Sequence, residues 1–248
     1  MIILFSIAVW VFSFVWMAIL AIVTLILLPF FPYRRTHAWV AAPGFSLVAR
    51  AVNLGRFEVF YDAKFDPKRR SVFCQNHINL LDAYVAAAAI PHAFCGLMHA
   101  WQFRIPFYGW LMTLSKGIPL HRNRSPKEIL QEMTEGARDR AAQGFSILVF
   151  PEGGRTTDGH TQRFKRGVFF MARDAGLPVV PVAVRGMYDV NRKGSLRFRP
   201  GRVSVYVGRQ FETVGLSDEK VGELSDRLQE IVSTFVETGH SMDREVRS

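Results

Sequence analysis

The chain has 248 residues, enough for one sizeable core with an appendage, and carries 31 Lys and Arg against 21 Asp and Glu, a net charge of +10. That excess calls for an anionic partner: nucleic acid, anionic lipid, or a phosphorylated or acidic substrate. Its two cysteines, Cys74 and Cys95, lack C-x-x-C spacing, which argues against a disulfide framework or zinc site and for reduced thiols in the cytosol.

The opening stretch "MIILFSIAVWVFSFVWMAILAIVTLILLPFFPYRR" has no charged side chain before Arg34. A bilayer core about 30 Å thick needs about 20 apolar residues at about 1.5 Å each, and this run exceeds that. No side of it is polar, so a membrane-embedded helix is expected rather than a buried core helix. The basic leading region and small-residue cleavage site of a signal peptide do not appear. Pro29 and Pro32 stop the helix, and Trp10, Trp16, Phe30, Phe31 and Tyr33 are expected at interfacial depth. Arg34, Arg35, Arg50 and Arg56 come next, which puts the rest of the chain on the cytoplasmic face of the inner or plasma membrane. Spanning and re-entering the same leaflet both remain open. Residues 37–56 read as a helix lying on the membrane surface or an amphipathic helix on the core, with a Pro-Gly break.

From "FEVFYDAKF" onward the pattern is mixed α/β. Strands are expected at 57–62, 71–76, 92–98, 117–121, 146–150, 179–185 and 203–208, from their β-branched and aromatic content. A helix over 125–143 opens with Ser125 as cap, Pro126 and Glu128 in a capping box, and closes at Gly144. Another over 217–236 carries Val221, Leu224, Leu228, Ile231 and Phe235 at helical spacing. No repeat or linker interrupts the chain, so it divides into a membrane-anchoring segment, 1–56, and one α/β domain, 57–240. The last residues, "GHSMDREVRS", are expected to be loose.

"QNHINLLDAYV" comes after the second strand. A neutral imidazole is the usual general base near neutral pH, and a carboxylate on its far nitrogen fixes the tautomer. Residues five apart do not share a helix face, so His77 belongs in the strand-to-helix turn, from which its ring can fold back to Asp82. "ILVFPEGGRTTDG" runs a strand into a glycine turn and projects Glu152 and Arg155 from its end. "GIPLHRN" delivers Arg122 from another strand end, and "RFKRGVFFMA" brings Lys165 just before a helix. Ligands of open α/β sheets collect at such strand ends.

These motifs resemble those of the glycerolipid acyltransferases typified by 1-acylglycerol-3-phosphate acyltransferase. Asn76, His77 and Asp82 match N-H-x-x-x-x-D, and "GIPLHR" matches the strand ending in an arginine. "FPEGGRT" matches F-P-E-G-T-R-S through Phe150, Pro151, Glu152, Gly153 and Arg155, and Val180, Pro181 and Val182 match a V-P-V strand. "RIPFYGW" resembles the family's I-P-x-x-G-W run. The likeness covers about residues 57–210 in order and spacing. Gly154 and His121 depart from it, standing where the family usually has threonine and an acidic residue.

The resemblance implies an α/β fold: a single acyltransferase domain with a mixed central sheet flanked by helices, plus the membrane-embedded segment. It implies that His77, oriented by Asp82, deprotonates the free glycerol hydroxyl of lysophosphatidic acid, which attacks an acyl thioester to give phosphatidic acid. Arg122 and Arg155, with Lys165, would hold the acceptor phosphate, and Glu152 would position the glycerol or support an arginine beside Gly153. The donor is acyl-CoA or acyl carrier protein, with no cofactor and no metal. Another lysophospholipid or a lyso-aminolipid is the alternative acceptor, and a non-catalytic anionic-lipid binder the reading from another class. A serine hydrolase lacks its G-x-S-x-G elbow here. Nucleic acid is not an expected partner, since the arginines gather at strand ends rather than along an aromatic-lined face. His92, His99 and His160 are expected to be incidental, and the Phe and Trp residues at 101–110 to line the core or an acyl-chain pocket.

Overall fold

The computed structural model describes residues 1–105, 108–121, 123–241 and 246–247. Helix α1 (Ile2–Leu27) ends two residues before Pro29, and a short α2 (Tyr33–Thr36) begins just after Pro32. A π-helical turn, His37–Ala41, then runs without interruption into α3 (Ala42–Val52), with Pro43 accommodated near its first turn. The expected Pro-Gly break is therefore absent. Gly44 serves packing instead, because a side chain there would collide with Leu20 of α1.

Strands β1 (Phe57–Asp62) and β2 (Val72–Gln75), helix α4 (Asp82–Ala89), and β3 (Phe94–His99) come next in the chain. A 3-10 turn, Ala100–Arg104, leads to α5 (Tyr108–Leu114), β4 (Ile118–Leu120), α6 (Pro126–Ala142) and β5 (Ser146–Val149). Then come α7 (Gly167–Ala175), β6 (Val179–Arg185), the single turn α8 (Met187–Val190), β7 (Val203–Val207) and α9 (Asp218–Thr238). The strands form one mixed sheet in the order β4-β3-β5-β2-β6-β7-β1. Pairing is parallel from β4 to β6 and again between β7 and β1, and antiparallel between β6 and β7. A last strand, β8 (Val246–Arg247), pairs antiparallel with β1, so the tail is not wholly loose as expected.

Alternation along the strands divides the core into two layers. Phe73, Leu148, Val180, Val182 and Val205 face α1, α3 and α4, where they meet Val9, Val48, Val52, Val85 and Ala86. Val72, Cys74, Ile147, Val149 and Tyr206 face α6, α7 and α9, where they meet Met133, Phe169, Leu228, Ile231 and Phe235. The central strands are buried on both faces, which is why they read as nearly continuous apolar runs. Phe73 and Phe169 are fully buried, each worth roughly 1.5–3 kcal/mol of burial. The capping box of α6 is formed: Ser125 Oγ accepts from the Glu128 amide and Glu128 returns an acceptor to the Ser125 amide at 2.8 Å.

Helix α1 lies along the domain. Ser6 Oγ accepts from the Phe198 amide at 2.8 Å, the Trp10 indole donates to the Leu196 carbonyl at 2.9 Å, and the Trp16 indole donates to the Gly44 carbonyl at 3.0 Å. Beyond its end, Tyr33 stacks on Phe145. Trp10, Trp16 and Tyr33 thus turn partly into the protein, whereas Phe30 and Trp39 are exposed. The other side of α1, including Ile3, Leu4, Ile7, Val11, Phe14, Ile22 and Ile26, is open. By length and composition the helix could cross a membrane.

Candidate active site

The C-terminal ends of β2 and β5 lie side by side, because the two strands pair in parallel from Val72↔Ile147 to Cys74↔Val149. That register forces together the two turns that leave these strand ends. After β2 the chain makes a tight turn through Asn76–Leu81 into α4, and after β5 it turns through Pro151–Gly154. Asn76 closes one side by donating to the Val184 carbonyl at 3.0 Å and accepting from its amide at 2.8 Å. Asn79 closes the other, donating to the Met187 and Asn191 carbonyls and accepting from the Leu81 amide. The two asparagines satisfy backbone groups that no strand reaches.

Within this turn Asp82, the first residue of α4, is buried with its Oδ2 facing back. It accepts from His77 Nδ1 at 2.6 Å, from the Ile78 amide at 2.7 Å and from the Asn79 amide at 3.1 Å. Burial pushes the Asp82 carboxyl up, while the His77 ring and the two amides oppose that by favouring the anion. An anionic Asp82 assigns the proton to Nδ1 and leaves Nε2 as an acceptor. The imidazole stacks on Phe150 at 4.1 Å between centroids and keeps a quarter of its side chain exposed. An imidazole so oriented, with one nitrogen available to a reactant, has the geometry a general base requires.

Glu152 is buried, and both its oxygens are spent on backbone. Oε1 accepts from the His77 amide at 2.9 Å and Oε2 from the Gln162 amide at 3.1 Å. The His77 carbonyl in turn accepts from the Thr156 amide at 2.8 Å. Burial raises the Glu152 carboxyl to about 7, with the two amide bonds acting against it. Gly153 has φ +72, a left-handed conformation, and a Cβ there would strike Lys165 Nζ. The Lys165 ammonium therefore lies directly over the glycine turn, while its own amide donates to the Pro151 carbonyl at 2.9 Å. Arg155 is half-buried, and its carbonyl accepts from Lys193 Nζ at 3.1 Å. Among the described residues neither Lys165 nor Arg155 is in an ion pair. Arg122 lies outside the described residues. Its neighbour His121 bonds through Nδ1 to Glu132 of α6 at 2.5 Å, so a carboxylate absent from position 121 is supplied from the next helix.

The structure thus gathers His77, Asp82, Glu152, Gly153 and Lys165 at one pair of strand ends. Phe150, Thr156, Gln162 and Asn191 complete the same site. Backbone amides of Thr156 and Gln162 carry no side-chain signal in a sequence, and only the motif position of Phe150 hints at its role. Trp101, expected in a core or pocket, is 59% exposed, whereas Trp110, though 65% exposed, lines an apolar groove as expected. This groove of about 1730 Å³ between α1 and α5 includes none of the predicted site residues. His92 lies away from the site and has a structural part: its Nε2 meets Ser146 Oγ at 2.5 Å and its Nδ1 the Pro67 carbonyl at 3.0 Å. It pins loops at the opposite ends of the strands. No cluster suited to a metal ion occurs among the described residues.

The sequence model of the Acyltransferase family matches residues 56–185, which contain every one of these motifs. The chain belongs to the acyltransferase family. It is 29% identical over 169 residues to 1-acyl-sn-glycerol-3-phosphate acyltransferase of Limnanthes douglasii, covering 68% of this chain and 59% of the relative. It is 32% identical over 129 residues to the protein of the same name from Pseudomonas aeruginosa, covering 52% and 49%. The chain thus spans between half and three fifths of these relatives' length. The fold is that of the 1-acyl-sn-glycerophosphate (LPA) acyltransferase PlsC from Thermotoga maritima, with a TM-score of 0.77, 23% identity and 95% of each chain covered.

Proposed function

We propose that this acyltransferase moves an acyl chain from a thioester to the free glycerol hydroxyl of lysophosphatidic acid, giving phosphatidic acid. The observation that carries this reading is the His77 Nδ1–Asp82 Oδ2 bond of 2.6 Å at the strand ends, with Nε2 left as an acceptor. The names of the relatives favour lysophosphatidic acid as acceptor.

In the proposed reaction Nε2 takes the hydroxyl proton as the glycerol oxygen attacks the thioester carbonyl. Asp82 stabilises the imidazolium that forms. Collapse of the tetrahedral intermediate breaks the C–S bond, and the imidazolium returns its proton to the leaving thiolate. No acyl-enzyme forms, since the acceptor hydroxyl is itself the nucleophile. Lys165 and Arg155, together with Arg122 from the second motif, would hold the acceptor phosphate; arginine's planar fork suits that group. Glu152 acts through His77 as a positioning residue. The donor is acyl-CoA or acyl carrier protein, both anionic and so matched to the +10 charge.

The protein would work at the cytoplasmic membrane surface, where Arg34 and Arg35 come after the apolar helix. Its helix α1 is about 39 Å long at 1.5 Å per residue, yet it bonds to the domain at Ser6, Trp10 and Trp16. A helix tied along its length cannot stand across the bilayer without drawing the domain in. The open face of α1 is therefore proposed to dip into one leaflet.

Acyl transfer from acyl-CoA to lysophosphatidic acid, assayed beside lysolipids with other headgroups, tests the reading. Turnover confined to another lysolipid would replace the acceptor.

A further inference from the structure

Between Asp189 and Glu212 the chain carries six cations and no acid. Five of them, Arg192, Lys193, Arg197, Arg199 and Arg202, fall on the segment joining α8 to β7, and all five are exposed. None forms an ion pair among the described residues. A surface that only needed solubility would intersperse both signs.

The segment is nevertheless well fixed. Asn191 Nδ2 donates to the Ser195 and Arg197 carbonyls at 2.9 and 3.0 Å, and the Arg199 amide donates to the Val190 carbonyl at 2.9 Å. Phe198 is buried against the Trp10 ring, and Ser6 and Trp10 of α1 hold its flanks through the Phe198 amide and the Leu196 carbonyl. Leu196 itself is 74% exposed at the tip, beside the open apolar side of α1. A fixed loop with an apolar tip and a cationic rim, continuous with an apolar helix face, has the composition of a membrane-interface element. Its base also touches the site, since the Asn191 carbonyl accepts from Asn79 of the His77 turn at 3.3 Å.

We propose that residues 192–202 dock on anionic phospholipid headgroups and, with the apolar face of α1, seat the strand-end site at the bilayer surface. This rests on the reading of α1 as a helix in one leaflet. Leu196 enters the headgroup layer beside α1 while the arginines contact lipid phosphates. Because Asn191 ties the loop to the Asn79 turn, docking brings His77 toward the layer where a lysolipid hydroxyl resides.

The test is flotation of the full-length protein on vesicles of phosphatidylcholine alone and of phosphatidylcholine with phosphatidylglycerol. It is run for wild type, for the triple variant Arg192→Gln/Arg197→Gln/Arg199→Gln, and for the matching triple lysine variant. Each basic residue near an anionic surface is worth roughly fivefold in partitioning, so the glutamine variant should lose on the order of a hundredfold of its preference for anionic vesicles. The lysine variant should retain the preference, and salt should erase it in wild type. Binding to neutral vesicles and turnover in nonionic micelles should not change. A glutamine variant that keeps the anionic preference overturns the proposal. So does one that keeps it while its KM for the acyl donor rises in micelles, which would assign the loop to the donor instead. Wild type that floats on neither vesicle removes the one-leaflet reading of α1, a distinct failure.

Discussion

Glu152 Oε1 accepts the backbone N–H of His77 at 2.9 Å, so the carboxylate of the third motif holds the peptide that carries the histidine of the first. Its other oxygen holds the Gln162 amide, and the strand end is thereby locked to the turn after β2. A glutamine at this position can accept one amide bond but would set its own N–H₂ against the other. A buried donor left unpaired costs about 1–3 kcal/mol. If that cost falls on the aligned His77 in the transition state, Glu152→Gln should lower kcat by roughly tenfold to a hundredfold, with a smaller change in KM for the lysolipid. Steady-state kinetics over both substrates checks this. A rise in KM alone would mean that Glu152 contacts the acceptor directly.

The same carboxyl makes stability depend on pH. Its folded pKa, about 7, lies above the ordinary 4.5, so the folded chain binds the proton more tightly than the unfolded one. The contribution is fully present below about 4.5 and is lost as pH rises through about 7. Wild type should therefore lose stability relative to Glu152→Gln, which does not titrate, between about pH 5 and pH 8. The difference is on the order of 3 kcal/mol at most, at 1.36 kcal/mol per unit. Denaturant melts of both proteins across that range measure it, and a constant difference would contradict the assignment.

Asp82→Asn should preserve the fold of the turn and spoil the base. The asparagine amide oxygen can take the place of Oδ2 and keep the bonds from Nδ1 and the Ile78 and Asn79 amides, but it carries no charge to stabilise the imidazolium that forms during transfer. The loss in kcat should be roughly a thousandfold or more, by analogy with the orienting aspartate of serine proteases. Lysolipid binding, measured separately by calorimetry in micelles, should survive. Loss of binding with intact kcat would assign Asp82 to the acceptor.

Lys165, poised over Gly153, should report on the phosphate. Lys165→Ala is expected to raise KM for lysophosphatidic acid by roughly tenfold to a hundredfold, the worth of a charge-assisted hydrogen bond of about 1.5–3 kcal/mol. Transfer to a monoacylglycerol, which lacks the phosphate, should be slow in wild type and barely change in the variant. Equal losses on both acceptors would show a structural role only.

Much of the fold and the site is legible in the residues, and the exceptions have physical reasons. The β-branched runs mark strands to within about two residues at each end, as assignment methods themselves differ, because strands buried on both faces leave a continuous apolar signal. Ser125, Pro126 and Glu128 announce the start of α6 through local chemistry alone. The sequence places His77 in a turn from which its ring can fold back to Asp82, but a spacing of five does not fix the contact, which only the folded turn supplies. Glu152 reads from sequence as a partner of the acceptor or of an arginine, because a carboxylate after a strand says nothing of which distant amides it meets. That depends on the parallel register of β2 and β5, a long-range fact. The Pro43-Gly44 pair suggests a break, yet a helix tolerates proline near its first turn, and Gly44 admits Leu20. Trp101 looks buried by composition yet is 59% exposed, and Trp110 lines an apolar groove while 65% exposed, because composition does not fix how much of a ring its neighbours cover.

The role of His77 as the base is decided by acyl transfer from acyl-CoA to lysophosphatidic acid, wild type beside His77→Ala, in detergent micelles with folding verified by circular dichroism. Expected are turnover by wild type, loss of at least roughly a thousandfold in kcat in the variant, and unchanged binding of the lysolipid. Turnover that survives in His77→Ala would contradict the assignment of the base. No turnover by wild type on any lysolipid, with binding intact, would leave a lipid-binding protein on an acyltransferase fold.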